Sequence, residues 1–317
     1  MNKEDLKIVY ENCLGLKEDL IKCLRQTGKS KNSLSFKDKS SLRDYFKIGE
    51  EFKDEMRDKR ITTIHSSALL AFLAFYKVSE KFHINIDGVD YTKRFFEVKN
   101  KCIRTPSQVD VTLVSSDWEN VLYLESKFTE TLEASFETKD ISGAYRWKNK
   151  FGVKIYDKDS FTKHTGLMLK GNKDKPFKIA VRGDESDTYL EGIKQMISHY
   201  IGMLRGSNGK NKKDFEDNIR KAKKINLASI VYEFPNIPNF EENGDSLSFE
   251  KRLENYGNLY EKLAEYLNSL TGQLKDPTKD INYYVRKNLL TYQEVFSNKK
   301  NSELLSETVK DLYNIGI

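Results

Sequence analysis

PSQVDVTLVSSDWENVLYLESK, residues 106–127, decides how the chain is read. Apolar residues alternate with polar ones from Val109 to Leu113, and Val121 to Leu124 form a second, continuous apolar run; both read as β-strands, with the polar turn SSDWEN between them. In a strand, residues two apart share a face. Glu125 and Lys127 therefore project together while Leu124 and Ser126 turn the other way, and Asp110 lies on the preceding strand.

The flanking sequence supplies the remaining elements. Residues 3–26 repeat apolar positions at helical spacing (Leu6, Val9, Cys13, Leu16, Leu20, Cys23), and TGKSKNSLSFKDKS then breaks the pattern as a flexible connection. A charged helix is expected from Ser40 through DYFKIGEEFKDEMRDKR. ITTIHSSALLAFLAFYKV follows, in which Ser66 or Ser67 caps a helix that is apolar almost all round and so buried. Residues 82–102 read as a hairpin turning at Asp87-Gly88.

After Thr129 the chain reads as irregular and lysine-rich until Asp187. TYLEGIKQMISHYIGMLRG then restores a helical period, with Ile193, Met196, Ile197, Tyr200 and Leu204 on one face and Glu191, Gln195 and His199 four apart on another. The basic GSNGKNKK loop (206–213) follows a helix and lacks the spacing of a phosphate loop. INLASIVYEFP reads as a buried strand. Beyond it, Leu253 to Leu270 mark one helix and Ile281 to Phe296 a second. The expected organisation is an N-terminal helix and linker (1–39), an α/β core (40–240) with a basic insertion at 130–186, and a C-terminal helical region (241–317).

Composition bounds the function. The 317 residues are 38% hydrophobic and 12% aromatic, enough for a folded core, and the net charge of +6 leans mildly toward polyanionic partners. Cys13, Cys23 and Cys102 form no disulfide or zinc spacing, and no stretch has the apolar length of a signal peptide core or membrane span, so a cytoplasmic protein is expected.

Phosphodiester hydrolysis needs an activated water, charge stabilisation at phosphorus and a protonated leaving oxygen. Carboxylates holding Mg²⁺ and a neighbouring lysine meet those needs. Asp110, Glu125 and Lys127, on successive strands, resemble the motif of the PD-(D/E)xK nuclease superfamily, the restriction-endonuclease-like fold. The element order helix, three strands, helix, strand across residues 62–234 agrees with that family's α-β-β-β-α-β core, a mixed sheet flanked by helices. The motif departs from the pattern in one respect: Ser107, Gln108 and Val109 separate Pro106 from the acid. A rival ExK spacing, Glu97 and Lys99 with Asp90 upstream, leaves too little chain between its acids.

The resemblance implies a Mg²⁺- or Mn²⁺-dependent DNA endonuclease cutting double-stranded DNA as a homodimer, with Asp110 and Glu125 as metal ligands and Lys127 positioning the water. A type II-like restriction enzyme is the expected role. The alternatives are a repair, recombination or mobile-element nuclease and a non-catalytic DNA-binding protein. It further implies a catalytic part for Gln195, with Glu50, Glu51 and Glu55 undifferentiated as an additional acid. His199 and His65 (in IHSSALLAF) are read as substrate contacts. In the insertion, residues 145–182 carry eleven Lys or Arg against three Asp, interleaved with aromatics. Arg146, Trp147, Lys148 and Lys150 are accordingly assigned to DNA, cations neutralising phosphates and aromatics stacking on bases.

Overall fold

A computed structural model describes residues 14–15, 18–26, 34–49, 62, 64, 66–102, 105–128, 138–141, 158–170, 177–181, 190–234 and 249–316. The element order is α1 (Glu18–Cys23), β1 (Leu24–Gln26), β2 (Leu34–Phe36), α2 (Lys39–Phe46), α3 (Ser67–Phe75), β3 (Ile84–Ile86), β4 (Val89–Tyr91), β5 (Lys93–Asn100), β6 (Ser107–Val114) and β7 (Asn120–Lys127). It continues with β8 (Thr138–Ile141), α4 (Lys158–Thr165), β9 (Leu167–Lys170), β10 (Phe177–Val181), α5 (Leu190–Arg205), α6 (Lys213–Asn218) and β11 (Lys224–Val231). The last part holds α7 (Phe249–Leu274), β12 (Asn282–Val285), β13 (Leu290–Thr291), α8 (Tyr292–Ser297), α9 (Lys299–Ser302) and α10 (Glu307–Tyr313).

The protein is a mixed α/β structure organised on a six-stranded mixed sheet in the order β12-β11-β7-β6-β5, with β13 also paired to β11. β5, β6 and β7 form an antiparallel meander, whereas β11 runs parallel to β7, β12 and β13. A parallel strand after an antiparallel meander needs a crossover, and the chain makes it through α5.

Alternation along the central strands sorts their side chains onto two covered faces. On one, Val111, Leu113, Leu122, Leu124, Ala228 and Ile230 pack with α3 and the C-terminal helices. On the other, Val121, Tyr123, Leu227 and Val231 pack with Ile193, Met196, Ile197 and Tyr200 of α5 and with Tyr260 and Leu263 of α7. α3 is apolar on all sides because it is covered on all sides: Leu69 to Phe75 are buried, and the Phe75 ring lies 5.6 Å from that of Phe296 and Phe72 lies 4.9 Å from Phe96. Ser66 caps it, its hydroxyl accepting from Leu69 N–H at 3.4 Å, as the sequence suggested.

Several expectations are corrected. The first helix does not continue to residue 26: Leu24–Gln26 pairs with Leu34–Phe36, which lets Phe36 enter the core. α2 stops at Phe46 because Lys47 turns left-handed (φ 53), and the Ile48 N–H bonds back to Arg43 O, so Ile48 is buried rather than carried along a helix. Residues 50–61 lie outside the described residues. The Asp87-Gly88 turn is present, both residues at positive φ, but its arms are the short β3–β4 pair outside the central sheet. The segment expected to be irregular contains α4 and a separate three-stranded sheet, β8-β10-β9. Ile281–Phe296 is not one helix. Tyr283 and Val285 are buried while Asn282 and Tyr284 are exposed, a period of two that places β12 beside β11, and only α8 is helical.

The GSNGKNKK stretch closes the edge of β5. The Asn211 amide accepts from Lys99 N–H at 2.7 Å and donates to Lys99 C=O at 3.0 Å, as a neighbouring strand would, and Lys101 N–H bonds to Gly206 C=O at 2.8 Å. Among the described residues no helix is long and apolar enough to cross a membrane.

α5 reaches the sheet closely at one glycine. A Cβ on Gly202 would stand 3.0 Å from the Cβ atoms of Asn100 and Ser107 and 3.2 Å from Ser107 Oγ. Gly202→Ala is therefore expected to lower the unfolding free energy by about 1–3 kcal/mol through overpacking, although alanine is favoured over glycine inside a helix by about 1 kcal/mol. Urea unfolding of the two proteins measures the difference.

Candidate active site

The site forms where the β6–β7 ladder ends. Pairing runs from Val114↔Val121 to Val111↔Leu124 and stops there. The β5–β6 ladder passes over the same point, pairing Phe96↔Val111 and then Val98↔Val109. Asp110 sits at this break and Glu97, opposite it on β5, has a positive φ of 53°. The Asp110 carboxylate takes the place of a backbone acceptor, its Oδ2 receiving the Ser126 N–H at 2.8 Å. That bond ties the acid of β6 to the backbone between Glu125 and Lys127.

Across β7 the alternation read from the sequence holds. Ser126 faces α3, its hydroxyl donating to Ser67 C=O at 3.0 Å and lying 2.7 Å from Tyr292 Oη. Glu125 and Lys127 face the other way, each 3% exposed, with Lys127 Nζ 2.5 Å from Glu125 Oε1 and 3.2 Å from Ser126 C=O. α5 adds His199, whose Nε2 stands 2.7 Å from Glu125 Oε2 and whose Nδ1 is 2.5 Å from Ser107 Oγ. The Nε2–Oε2 contact has ion-pair distance without hydrogen-bond alignment. Glu125 Oε2 is thus a buried carboxylate oxygen with no aligned donor among the described residues.

Burial alone would push the Glu125 carboxyl up. The adjacent Lys127 ammonium and the cationic form of His199 outweigh it and hold the group down, at about 2. Glu125 is therefore a carboxylate at neutral pH despite its burial.

Of the residues expected from sequence, Asp110, Glu125, Lys127 and His199 are joined by these contacts. Gln195 lies one turn before His199 on α5, and its Oε1 is buried without a hydrogen-bond partner among the described residues. His65, Arg146, Trp147, Lys148 and Lys150 lie outside the described residues, as do Glu50, Glu51 and Glu55. The acid of the rival set stands apart from its ExK pair. Asp90 belongs to the outlying hairpin, where it accepts from Asn85 and lies within 3.7 Å of His83 and 3.6 Å of Lys300.

Two polar residues beside the site were not singled out from the sequence. Ser107 lies 92 positions from the histidine it contacts, a separation across which no local pattern speaks. Ser229 of β11 is in register with Glu125, and its hydroxyl is buried with no hydrogen-bond partner among the described residues. One sequence signal was available for it, a serine inside the otherwise apolar run ASIV.

Because the Glu125 carboxyl is held below its unfolded value, its contribution to stability is complete above the ordinary pKa of 4.5 and is lost as pH falls from there toward about 2. In EDTA, Glu125→Gln is expected to be less stable than the parent protein at pH 7 and to lose less stability across that window. Urea titrations at stepped pH read both effects. Comparison with protein-family models, with curated proteins and with solved structures found no match, so the residues themselves carry what is inferred about function.

Proposed function

We propose that the chain is a metal-dependent endonuclease of the restriction-endonuclease-like fold, cutting double-stranded DNA, with Asp110, Glu125 and Lys127 as its reacting groups. The observation that carries this reading is the meeting of an acid from β6 with the buried Glu125–Lys127 pair of β7 where the two strands stop pairing. The order α3, β5, β6, β7, α5, β11 supports it, being the α-β-β-β-α-β order of the PD-(D/E)xK superfamily.

The donor set suits a hard divalent cation. Mg²⁺ and Mn²⁺ take oxygen ligands and need only one or two carboxylates when waters and substrate phosphate complete the shell. Glu125 Oε2, ionised and lacking an aligned donor, offers one such oxygen, and Asp110 offers the second carboxylate. When bound, the cation supplies Lewis-acid polarisation of the scissile phosphate.

The chain's own groups do the rest. Lys127 is held against Glu125 Oε1, and in this reading its ammonium orients the attacking water and offsets charge on the phosphate oxygens. The water oxygen bonds to phosphorus and gives up a proton to solvent, the P–O bond to the leaving sugar oxygen breaks, and that oxygen takes a proton from a solvent water. Gln195, one turn along α5 from His199, is placed in this reading to hold the water or a phosphate oxygen through its amide. Two strands of a duplex present two scissile bonds, so a symmetric pair of chains is the assembly proposed. The proposed setting is the cytoplasm and the proposed role is restriction.

Supercoiled plasmid incubated with Mg²⁺ and then with EDTA tests the proposal. Cutting is expected only with the metal. Asp110→Ala and Lys127→Ala are each expected to reduce the rate about 10²–10⁴-fold, the usual worth of a positioned acid-base or electrostatic group. Glu97→Ala and Lys99→Ala should cut like the parent. Discrete fragments would favour restriction over repair or mobile-element processing. DNA retention without cutting at any metal concentration would make the chain a binding protein and overturn the nuclease reading.

A further inference from the structure

His199 raises a question that the nuclease reading leaves open. It is 5% exposed, yet it stands on the same helical face as Glu191 and Gln195, which are less deeply buried. Both ring nitrogens face side chains of the protein, Nδ1 in a hydrogen bond and Nε2 at ion-pair distance. Nδ1 is 2.5 Å from Ser107 Oγ and Nε2 is 2.7 Å from Glu125 Oε2. Ser107 is itself 3% exposed and belongs to the same strand as Asp110. A line of three buried side chains thus runs from β6 through α5 to the carboxylate of β7.

We propose that Ser107 and His199 are positioning residues that fix the Glu125 carboxylate for metal binding, and that His199 does not contact the DNA phosphate. The inference rests on the nuclease reading and deepens it. A carboxylate can rotate about its last side-chain bond, and each orientation presents different lone pairs. Lys127 holds Oε1 alone, which leaves that rotation available. His199 stands at Oε2 and removes it, while Ser107 fixes the ring by engaging the far nitrogen. The arrangement is the outer shell of a metal site, in which a group behind the ligand sets the ligand's direction. Gly202 belongs to the same device. It lies three residues beyond His199 on α5, and its missing side chain lets the helix come close enough for the ring to reach both partners.

The probe is Mn²⁺ alone, its binding followed by electron paramagnetic resonance, beside duplex DNA affinity in EDTA by fluorescence anisotropy and thermal melting of every variant. His199→Ala is expected to weaken Mn²⁺ binding about 10–100-fold while leaving DNA affinity within about twofold. His199→Gln, whose amide nitrogen can stand near the Nε2 position, should regain most of the lost affinity. Ser107→Ala should shift binding in the same direction by less, and Ser107→Ala added to His199→Ala should add nothing, since the serine acts only through the ring. If His199→Ala melts too low to use, His199→Gln and Ser107→Ala carry the comparison.

Unchanged Mn²⁺ affinity in all three single variants overturns the proposal. So does a loss of DNA affinity with intact Mn²⁺ binding, which would make His199 a phosphate contact. Plasmid cleavage at stepped Mg²⁺ concentration separates the two levels of inference. A parent protein that binds Mn²⁺ and cuts, beside a His199→Ala protein equal to it at every concentration, removes the positioning role alone. A parent that neither binds Mn²⁺ nor cuts removes the nuclease reading and this inference with it.

Discussion

A sheet covered by helices on both faces normally excludes charge, and here it encloses Glu125 and Lys127 at 3% exposure each. Taking such ions out of water costs several kcal/mol apiece, and their mutual attraction compensates only when the remaining polar valences are also met. Much of the surrounding architecture follows from that constraint. β6 must break its pairing with β7 so that Asp110 can reach the Ser126 N–H. α5 must bring the His199 ring to Glu125 Oε2, and must lie close enough to β6 for Ser107 to hold it. On the far face, the serine between the two ions is held by α3 and by Tyr292, so β7 cannot slip or rotate without losing contacts on both sides.

The parts of the fold legible from sequence were those governed by local periodicity. The strand reading of Val121 to Lys127 gave the facing of Glu125 and Lys127. The apolar SALLAFLAF run marked α3 and its serine cap, and the 3.6-residue repeat of Ile193, Met196, Ile197 and Tyr200 gave the buried face of α5. Misread segments were those in which tertiary pairing overrides local preference. NYYV is short, and the apolar positions from Ile281 to Phe296 also fit a helix, yet the edge of β11 recruits two of its pieces as strands. Leu24–Gln26 continues a helical pattern and is nonetheless claimed by Leu34–Phe36.

At the site, sequence spacing reached only as far as residues on one strand or helix. It placed Glu125 with Lys127, and Gln195 with His199. The contact between those two sets is a matter of how α5 docks on the sheet, and it passes through Ser107 and Gly202, residues whose types advertise nothing. The rival acid and lysine on β4 and β5 show the converse. Their ExK spacing matched the chosen one, and only the short chain between Asp90 and Glu97 spoke against them; in the structure the Asp90 hairpin lies outside the central sheet.

The edge of β5 carries a consequence for assembly. An outer strand with open amides invites a strand from another molecule, and many proteins associate by continuing a sheet across their boundary. Here the side chain of Asn211 occupies both backbone groups of Lys99, and the turn that carries it is braced by Glu216, which accepts from Asn211 N–H and from Ser207 Oγ. The sheet is sealed against extension at that point by an amide imitating a strand. Two copies of this chain brought together on a duplex would not meet by adding a strand to β5 at that point, so the spacing between their two sites would be set by other surfaces than this edge of the sheet.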